Sequence, residues 1–374
     1  MFAISQYLNE HLINNTTHTK KMRLPRVTLD AGDCAYHCIS RVVSKEFLFN
    51  TPKRKDHIVK IMLASEILFG ANILNYVVMD NHIHALVQMR SILNRDVLDK
   101  KTILKLAKTL YSSDYVTSLQ QEFDRAEKAD RMQGGSDKWH TQQILNRYEK
   151  RRGCLSNFMK ELKERIAHYI NKERKRSGTL WDGRFKSAIV ENTIESLAAV
   201  SAYIDLNPIR AGIVKHPQHY RWCGYSAALQ GDKSAQEGLA QLYAYRGGGK
   251  KPKWKHIKED YRLYLYERGL ATIEDPDSAV TSRLGFTAEQ LEQEIARNGK
   301  IPAGEILLHR VRYFSDGAII GTANYVDAIF KSNRDKLTSP TSQRNTGART
   351  MRGADWGALC CLRDLSRHFI GQPN

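Results

Sequence analysis

The chain has 374 residues and a formal net charge of +18, because 58 Lys and Arg residues outnumber 40 Asp and Glu residues. No single tail holds this excess, so it favours a polyanionic partner, nucleic acid ahead of a membrane surface. No apolar run reaches the roughly 18 residues that a membrane-spanning helix needs. The N-terminus also lacks the basic-then-apolar order of a secretion signal. These features predict a cytosolic protein and exclude a membrane-spanning one.

The cysteines carry no recognisable metal or disulfide pattern. They form no C-x-x-C pair and no zinc-type spacing. We expect all six to be reduced thiols: Cys34, Cys38, Cys154, Cys223, Cys360 and Cys361.

The first hundred residues predict the start of an α+β sandwich. Residues 1–22 are expected to form a polar leader, and residues 35–41 a first strand. A helix is predicted over residues 57–68, because apolar side chains recur there at helical spacing. A β-type apolar run follows over residues 76–87. This order of strand, helix and strand is typical of an α+β layer structure.

Two histidines stand in that apolar run. Side chains alternate between the two faces of a strand, so His82 and His84 share one face while Ile83 points into the opposite layer. Two neighbouring imidazoles can bind one metal ion. Histidines at this spacing can equally be exposed strand residues or hydrogen-bonded core residues, and the spacing alone leaves these interpretations open.

The middle and the end of the chain predict further elements and a domain division. A polar helical insertion is expected over residues 92–150, with a flexible break at residues 134–136. A helix over residues 155–174 and a strand over residues 185–190 follow. A Gly-, Lys- and Pro-containing linker is expected over residues 231–256. Residues 257–374 are expected to form a separate, mostly helical region, with helices near 287–297 and 325–330.

A second candidate site lies in the helix that precedes Pro208. Asn192 is a suitable helix cap, and proline disfavours helical geometry in the residue before it, so the helix is predicted to end near residue 206. Tyr203 and Asn207 are four residues apart and therefore share a helix face. A phenol can attack a phosphodiester when a metal neutralises the phosphate charge, and an amide oxygen can complete a metal site. An ordinary tyrosine beside a helix end remains the alternative.

Several ordered motifs carry a resemblance to one family. The strand MDNHIHALV, residues 79–87, resembles the M-P-N-H-V-H-L-L-V strand of HUH single-strand nucleases. The run SGTLWDGRFKSAIVE…AYIDLNPIRAGIV, residues 177–214, resembles the strand–helix signature of REP-associated tyrosine transposases. Residues 35–41 and 155–160 are similar to that family's opening strand and central helix. The resemblance covers roughly residues 23–230, and residues 310–317 with Gly321 resemble the C-terminal extension of longer members. Asp80 departs from the pattern, where proline is more usual.

The resemblance implies a fold, an activity and roles for the matching residues. It implies a ferredoxin-like antiparallel sheet with helices on it, acting on single-stranded or hairpin DNA near the nucleoid. His82 and His84 would be metal ligands, with Asn207 the third, and the metal would be Mg²⁺ or Mn²⁺. Tyr203 would attack the scissile phosphate, giving a 5′-phosphotyrosine and a free 3′-hydroxyl. Tyr169 is the rival nucleophile, although its spacing fits the apolar face of its helix.

Basic residues mixed with aromatic ones indicate a DNA contact region. Basic groups can bind phosphates while an aromatic ring stacks on an unpaired base. A solvated helix end followed by core aromatics is the alternative, and Phe185 is expected in the core. The candidates for DNA contact are Lys172, Arg174, Lys175, Arg176, Trp181, Arg184, Lys186 and Arg210.

Three classes of function remain open at this point. The first is a strand transferase with nuclease activity. The second is a non-catalytic DNA-binding protein derived from a transposase. The third is a small-molecule metallohydrolase, which would need further carboxylate or histidine ligands. The sequence also leaves open whether the chain acts as a monomer or a homodimer.

Overall fold

The computed structural model describes ten parts of the chain. These are residues 27–29, 34–91, 93, 97–132, 134, 138–244, 251–268, 312–337, 345–351 and 357–363. The predicted leader, residues 135 and 136 of the predicted break, and the helix predicted near 287–297 lie outside the described residues.

A mixed sheet of seven strands organises the described chain, in the order β2-β3-β1-β4-β5-β7-β6. The four long strands β1 to β4 pair antiparallel, whereas β5 pairs parallel to β4. The α+β fold class is therefore confirmed. The strands are β1 Cys34–Arg41, β2 Ala71–Val78, β3 His82–Met89, β4 Lys186–Glu191, β5 Ile319–Gly321, β6 Arg349–Thr350 and β7 Cys360–Cys361.

Thirteen helices are described with the sheet. The predicted insertion contains three of them, α2 to α4. The helices are α1 Pro52–Phe69, α2 Lys100–Leu110, α3 Ser113–Met132, α4 Trp139–Glu149, α5 Leu155–Glu173, α6 Ile194–Asp205, α7 Asn207–Arg210, α8 Gly224–Leu229, α9 Lys233–Ala244, α10 Trp254–Arg268, α11 Arg312–Asp316, α12 Ala323–Ser332 and α13 Arg334–Leu337.

Helices cover both faces of the sheet, which is why its strands read as nearly continuous apolar runs. On one face, Ile83 and Ala85 of β3 share a core with apolar residues of α1 and α5. On the other face, Leu86 of β3 shares a core with residues of α6, α9, α10 and α11. This alternation decides on which face each strand side chain lies.

The apolar run expected over residues 76–87 is two strands rather than one. The chain turns at Met79 to Asn81, where the amide of Met79 donates to the carbonyl of His82 at 2.9 Å. Asp80 in this turn lies 2.6 Å from the ammonium of the buried Lys55. A buried cation on α1 thus holds the polar turn in place between two apolar strands.

The helix that carries Tyr203 is capped one residue later than predicted. The hydroxyl of Thr193 accepts from the amide of Ser196, so Thr193 is the N-cap of α6. The side chain of Asn192 instead accepts from the side-chain Nε2 of Gln88 at 3.3 Å. The predicted end of the helix near residue 206 is confirmed.

The predicted linker over residues 231–256 contains the ordered helix α9, Lys233–Ala244, which was not expected there. α9 packs on β2, and the sequence permits this because Gly238 has no side chain. A Cβ added there would lie 2.6 Å from the carbonyl oxygen of Ile73 and 2.8 Å from that of Leu74. Small residues had suggested flexibility, but here they allow close contact between a helix and a strand.

The C-terminal region adds strands to the sheet, where a separate, mostly helical region was expected. Ile319 and Ile320 of β5 pair with Ile189 and Val190 of β4. Phe314 of α11 is fully buried in the same core as α6. Within the described residues, the C-terminal segments therefore complete the core on both faces of the sheet.

Two further features bear on the expectations from composition. None of the six cysteines, all of which lie in the described residues, is part of a disulfide. Among the helices of the described residues, none combines the length and apolar character needed to cross a bilayer.

Candidate active site

His82, His84 and Tyr203 lie together on one face of the sheet. The ring centroids of the two histidines are 5.0 Å apart, and that of Tyr203 is 5.8 Å from that of His84. The predicted shared face of the histidines is confirmed, because Ile83 lies in the core of the opposite face. Tyr203 reaches this site from α6, which packs across β3.

A third histidine, His37 of β1, belongs to the same cluster. Its Nε2 lies 2.9 Å from Nδ1 of His84, and its Nδ1 lies 2.8 Å from the carbonyl oxygen of Phe314. Its ring centroid is 5.7 Å from that of Tyr203. Sequence reasoning missed this residue because it has no neighbouring histidine. The only signal was its place on the strand that pairs with β3.

Burial keeps these imidazoles in their neutral form. It lowers the pKa of His37 and of His82 to about 4, and that of His84 well below its usual value. The positive charge of Arg210 lowers all three pKa values further. A neutral imidazole has the lone pair that can bind a cation.

Arginine and asparagine side chains hold the C-terminal end of α6 around Tyr203. The guanidinium of Arg210 lies 4.2 Å from the centre of the Tyr203 ring and donates to the Tyr203 carbonyl. The amide nitrogen of Asn207 donates to the carbonyls of Tyr203 and Ile204 at 2.9 and 3.2 Å. Asn207 thus lies beside the tyrosine as predicted. These contacts are to the helix backbone, and its role as a third metal ligand stays a prediction.

Arg41 is a second residue that sequence reasoning missed. It stands directly opposite His82 in the pairing of β1 with β3, so the two side chains project from the same face. Its positive charge contributes to the low pKa of His82. Two guanidiniums, from Arg41 and Arg210, therefore act on the histidine cluster.

The predicted DNA-contact segment joins the sheet at this same end. The amide of Asp182 donates to the carbonyl of Arg41 at 2.9 Å, and the amide of Val43 donates to the carbonyl of Leu180. The segment before β4 is thereby fixed next to the strand end that carries Arg41. Of the predicted basic contacts that precede β4, four are exposed: Lys172, Arg174, Lys175 and Arg184.

Three other predicted DNA contacts have different environments. Arg176 is half-buried, and its Nη1 is buried without a hydrogen-bond partner among the described residues. Lys186 is exposed but pairs with Asp316 at 2.9 Å. Trp181 is buried, its indole donates to the carbonyl of Lys163, and its ring meets Phe49 edge to face. The ring is thus part of the core, and stacking of a base on Trp181 stays a prediction.

The rival nucleophile lies on the opposite side of the sheet. Tyr169 stacks on His57 of α1 at 3.8 Å between ring centroids. Helices α1 and α5 pack on the face that Ile83 enters, away from His82 and His84. Tyr169 therefore cannot act on a phosphate bound at the histidine cluster without a large rearrangement.

The donor set limits which metal chemistry the site can support. Among the described residues, no group of three or more His, Cys, Asp or Glu side chains could hold a metal ion. Metallohydrolase sites for small molecules use at least three such ligands. A metal here would need oxygen ligands from an amide, water or a bound phosphate in addition to the two imidazoles.

The chain has a weak structural similarity to one known protein. No protein-family model and no curated protein matches the sequence. One solved structure, a REP-associated tyrosine transposase bound to a REP hairpin, is similar over 55% of this chain and 86% of its own. The identity is 11% and the TM-score is 0.34. A similarity at this level does not establish a shared function.

Proposed function

We propose that the chain is a metal-dependent single-strand DNA endonuclease and strand transferase with Tyr203 as its nucleophile, related to the REP-associated tyrosine transposases. One observation carries the proposal. The Tyr203 ring lies 5.8 Å from the ring of His84, on the face that also bears His82. A tyrosine beside two neutral imidazoles is an arrangement suited to phosphodiester cleavage.

The proposed reaction is a transesterification at phosphorus. The hydroxyl oxygen of Tyr203 forms a bond to the scissile phosphorus, and the bond from phosphorus to the 3′ oxygen breaks. The phenol loses its proton, and the departing 3′ oxygen takes one up. The new phosphotyrosine bond conserves the energy of the phosphodiester, so rejoining needs no nucleotide cofactor.

His82 and His84 would hold the metal ion, with the amide oxygen of Asn207 as the proposed third ligand. Their neutral imidazoles fit this role. Mg²⁺ or Mn²⁺ would suit the remaining oxygen ligands. When bound, such an ion would polarise the scissile phosphate and neutralise part of its charge.

Arginine side chains would bind and orient the phosphate backbone. Arg41 lies opposite His82, and Arg210 lies over Tyr203, so two guanidiniums lie beside the proposed reaction centre. Guanidiniums bind phosphate oxygens with two parallel hydrogen bonds. The exposed basic residues Lys172, Arg174 and Lys175 would extend this contact along a single strand.

The proposal is tested by incubating the full chain with labelled hairpin and unstructured oligonucleotides in Mg²⁺ or Mn²⁺. A covalent protein–DNA band on a denaturing gel is expected, and EDTA or His82→Ala should remove it. Binding of the same oligonucleotides with no covalent band under any metal would instead indicate a non-catalytic DNA-binding protein. Undiminished cleavage in EDTA would contradict the role of the metal.

A further inference from the structure

His37 has no role in the proposed reaction, yet both of its ring nitrogens are engaged. It is fully buried on β1. Nδ1 lies 2.8 Å from the carbonyl oxygen of Phe314, and Nε2 lies 2.9 Å from Nδ1 of His84. One side of the ring therefore meets a group that can only accept a hydrogen bond. The other side meets a histidine of the proposed metal site.

The positions of the protons follow from these contacts. A carbonyl oxygen accepts, so Nδ1 of His37 must carry the hydrogen. A neutral imidazole has one N–H, which leaves Nε2 of His37 as an acceptor. Nδ1 of His84 must then donate to it, and Nε2 of His84 carries a lone pair. The opposite assignment would set a lone pair of His37 against the Phe314 carbonyl at 2.8 Å.

His82 shows the same arrangement with a different partner. The side-chain Nδ2 of Asn81 donates to the carbonyl of Lys45 at 2.9 Å. The Oδ1 of Asn81 is therefore the atom that faces Nδ1 of His82, at 2.6 Å. Nδ1 of His82 therefore donates, and Nε2 of His82 also carries a lone pair. Both histidines are held through Nδ1 in the same tautomer.

We propose that His37 is a positioning residue: together with the Phe314 carbonyl, it fixes His84 in the tautomer whose Nε2 is free of a proton and can bind a divalent cation. A buried partner that orients a metal-binding histidine commonly changes metal affinity by about 10- to 100-fold. Because Phe314 belongs to α11, the inference also gives the C-terminal region a part in assembling the site. The metal-binding consequence rests on the proposed function, whereas the tautomer itself does not.

The direct test is the tautomer of His84 in the full chain without metal. Two-bond ¹H–¹⁵N correlation spectra of histidine-labelled protein distinguish an Nδ1–H ring from an Nε2–H ring. We expect Nδ1–H for both His37 and His84, assigned by the signals lost in His37→Phe and His84→Ala. An Nε2–H tautomer for His84 would overturn the proposal, whether or not the chain cleaves DNA.

Mn²⁺ affinity, measured by calorimetry, tests the consequence. His37→Phe keeps most of the buried volume but has no acceptor for His84, so affinity should fall about 10- to 100-fold. His37→Gln can accept through its amide oxygen and should restore much of that loss. Tyr261→Phe is the control, because it removes a buried hydrogen bond to Asp205 at 2.7 Å without touching the histidines.

The outcomes separate the inference from the proposed function. A loss in His37→Phe, with rescue by glutamine and no loss in Tyr261→Phe, supports a positioning role. Equal losses of Mn²⁺ affinity in His37→Phe, His37→Gln and Tyr261→Phe would indicate that His37 is only a core residue. That result would overturn the positioning role. If the wild-type chain binds no Mn²⁺ while His84 has the Nδ1–H tautomer, the metal-dependent function is contradicted. The hydrogen bonds from His84 to His37 and from His37 to the Phe314 carbonyl are then still supported.

Discussion

Gly238→Ala distinguishes a helix packed on the sheet from the flexible linker that the sequence suggested. In an exposed helix, this change raises stability by about 1 kcal/mol, because glycine is the poorer helix former. In the structure, however, the added Cβ would lie 2.6 Å from the carbonyl oxygen of Ile73 and 2.8 Å from that of Leu74. Both are backbone atoms that cannot rotate away. Overpacking of this kind costs about 1 to 3 kcal/mol.

Because two backbone oxygens lie within 3 Å of the added Cβ, the cost should fall in the upper part of that range, about 2 to 3 kcal/mol. Subtracting the gain of about 1 kcal/mol leaves a net loss of about 1 to 2 kcal/mol, opposite in sign to the exposed-helix effect. Urea unfolding measures this change in the free energy of unfolding, as the shift of the midpoint urea concentration multiplied by the dependence of that free energy on urea concentration. Glu237→Ala, exposed on the same helix, is the matched control and should change stability by less than about 0.5 kcal/mol. Unchanged or higher stability in Gly238→Ala would refute the packing of α9 on β2.

Two further predictions concern charge. Burial raises the pKa of Glu66 to about 7 from 4.5 when unfolded, so the folded chain keeps a proton that the unfolded chain loses between these values. Unfolding free energy should thus fall as pH rises from 4.5 to 7, by on the order of 3 kcal/mol from this group. Glu66→Gln should flatten the dependence of the unfolding free energy on pH between 4.5 and 7. An unchanged dependence would contradict the raised pKa of Glu66. Separately, joint replacement of Arg174 and Lys175 by alanine should reduce the salt slope of single-strand binding by about 1.4, at roughly 0.7 per phosphate contact. Replacing Lys128 and Arg131 on α3 by alanine removes the same charge and should leave the salt slope unchanged. Equal slopes in both double variants would indicate that Arg174 and Lys175 are only solvated residues at a helix end.

Local patterns in the sequence predicted the first elements and the face of the candidate site. Period-two alternation placed His82 and His84 on one side of a strand, and helical spacing placed Tyr203 beside Asn207. Both predictions need only neighbouring residues, and both match the structure. The turn at Asp80 was missed because apolar residues continue on both sides of it, and its polar group is paired by the distant Lys55.

The features that the sequence did not reveal depend on contacts between distant segments. His37 joins the site only through the register of β1 with β3 and through the carbonyl of Phe314, 277 residues away along the chain. β5 has three residues, too few for a visible alternation, and is defined by its pairing with β4. The basic residues around Trp181 suggested an aromatic ring at the surface. In the structure the ring is buried through contacts with Phe49 and with the carbonyl of Lys163, which are distant in sequence.

The identity of the residue that becomes attached to DNA tests the proposed function most directly. After reaction with a labelled oligonucleotide in Mn²⁺, the adduct is digested with protease and the modified peptide is sequenced by mass spectrometry. The expected attachment is at Tyr203, and Tyr203→Phe should bind DNA with nearly unchanged affinity but form no adduct. Tyr169→Phe, the matched control on the opposite face of the sheet, should form it normally. An adduct that persists in Tyr203→Phe and disappears in Tyr169→Phe would contradict the proposed active site.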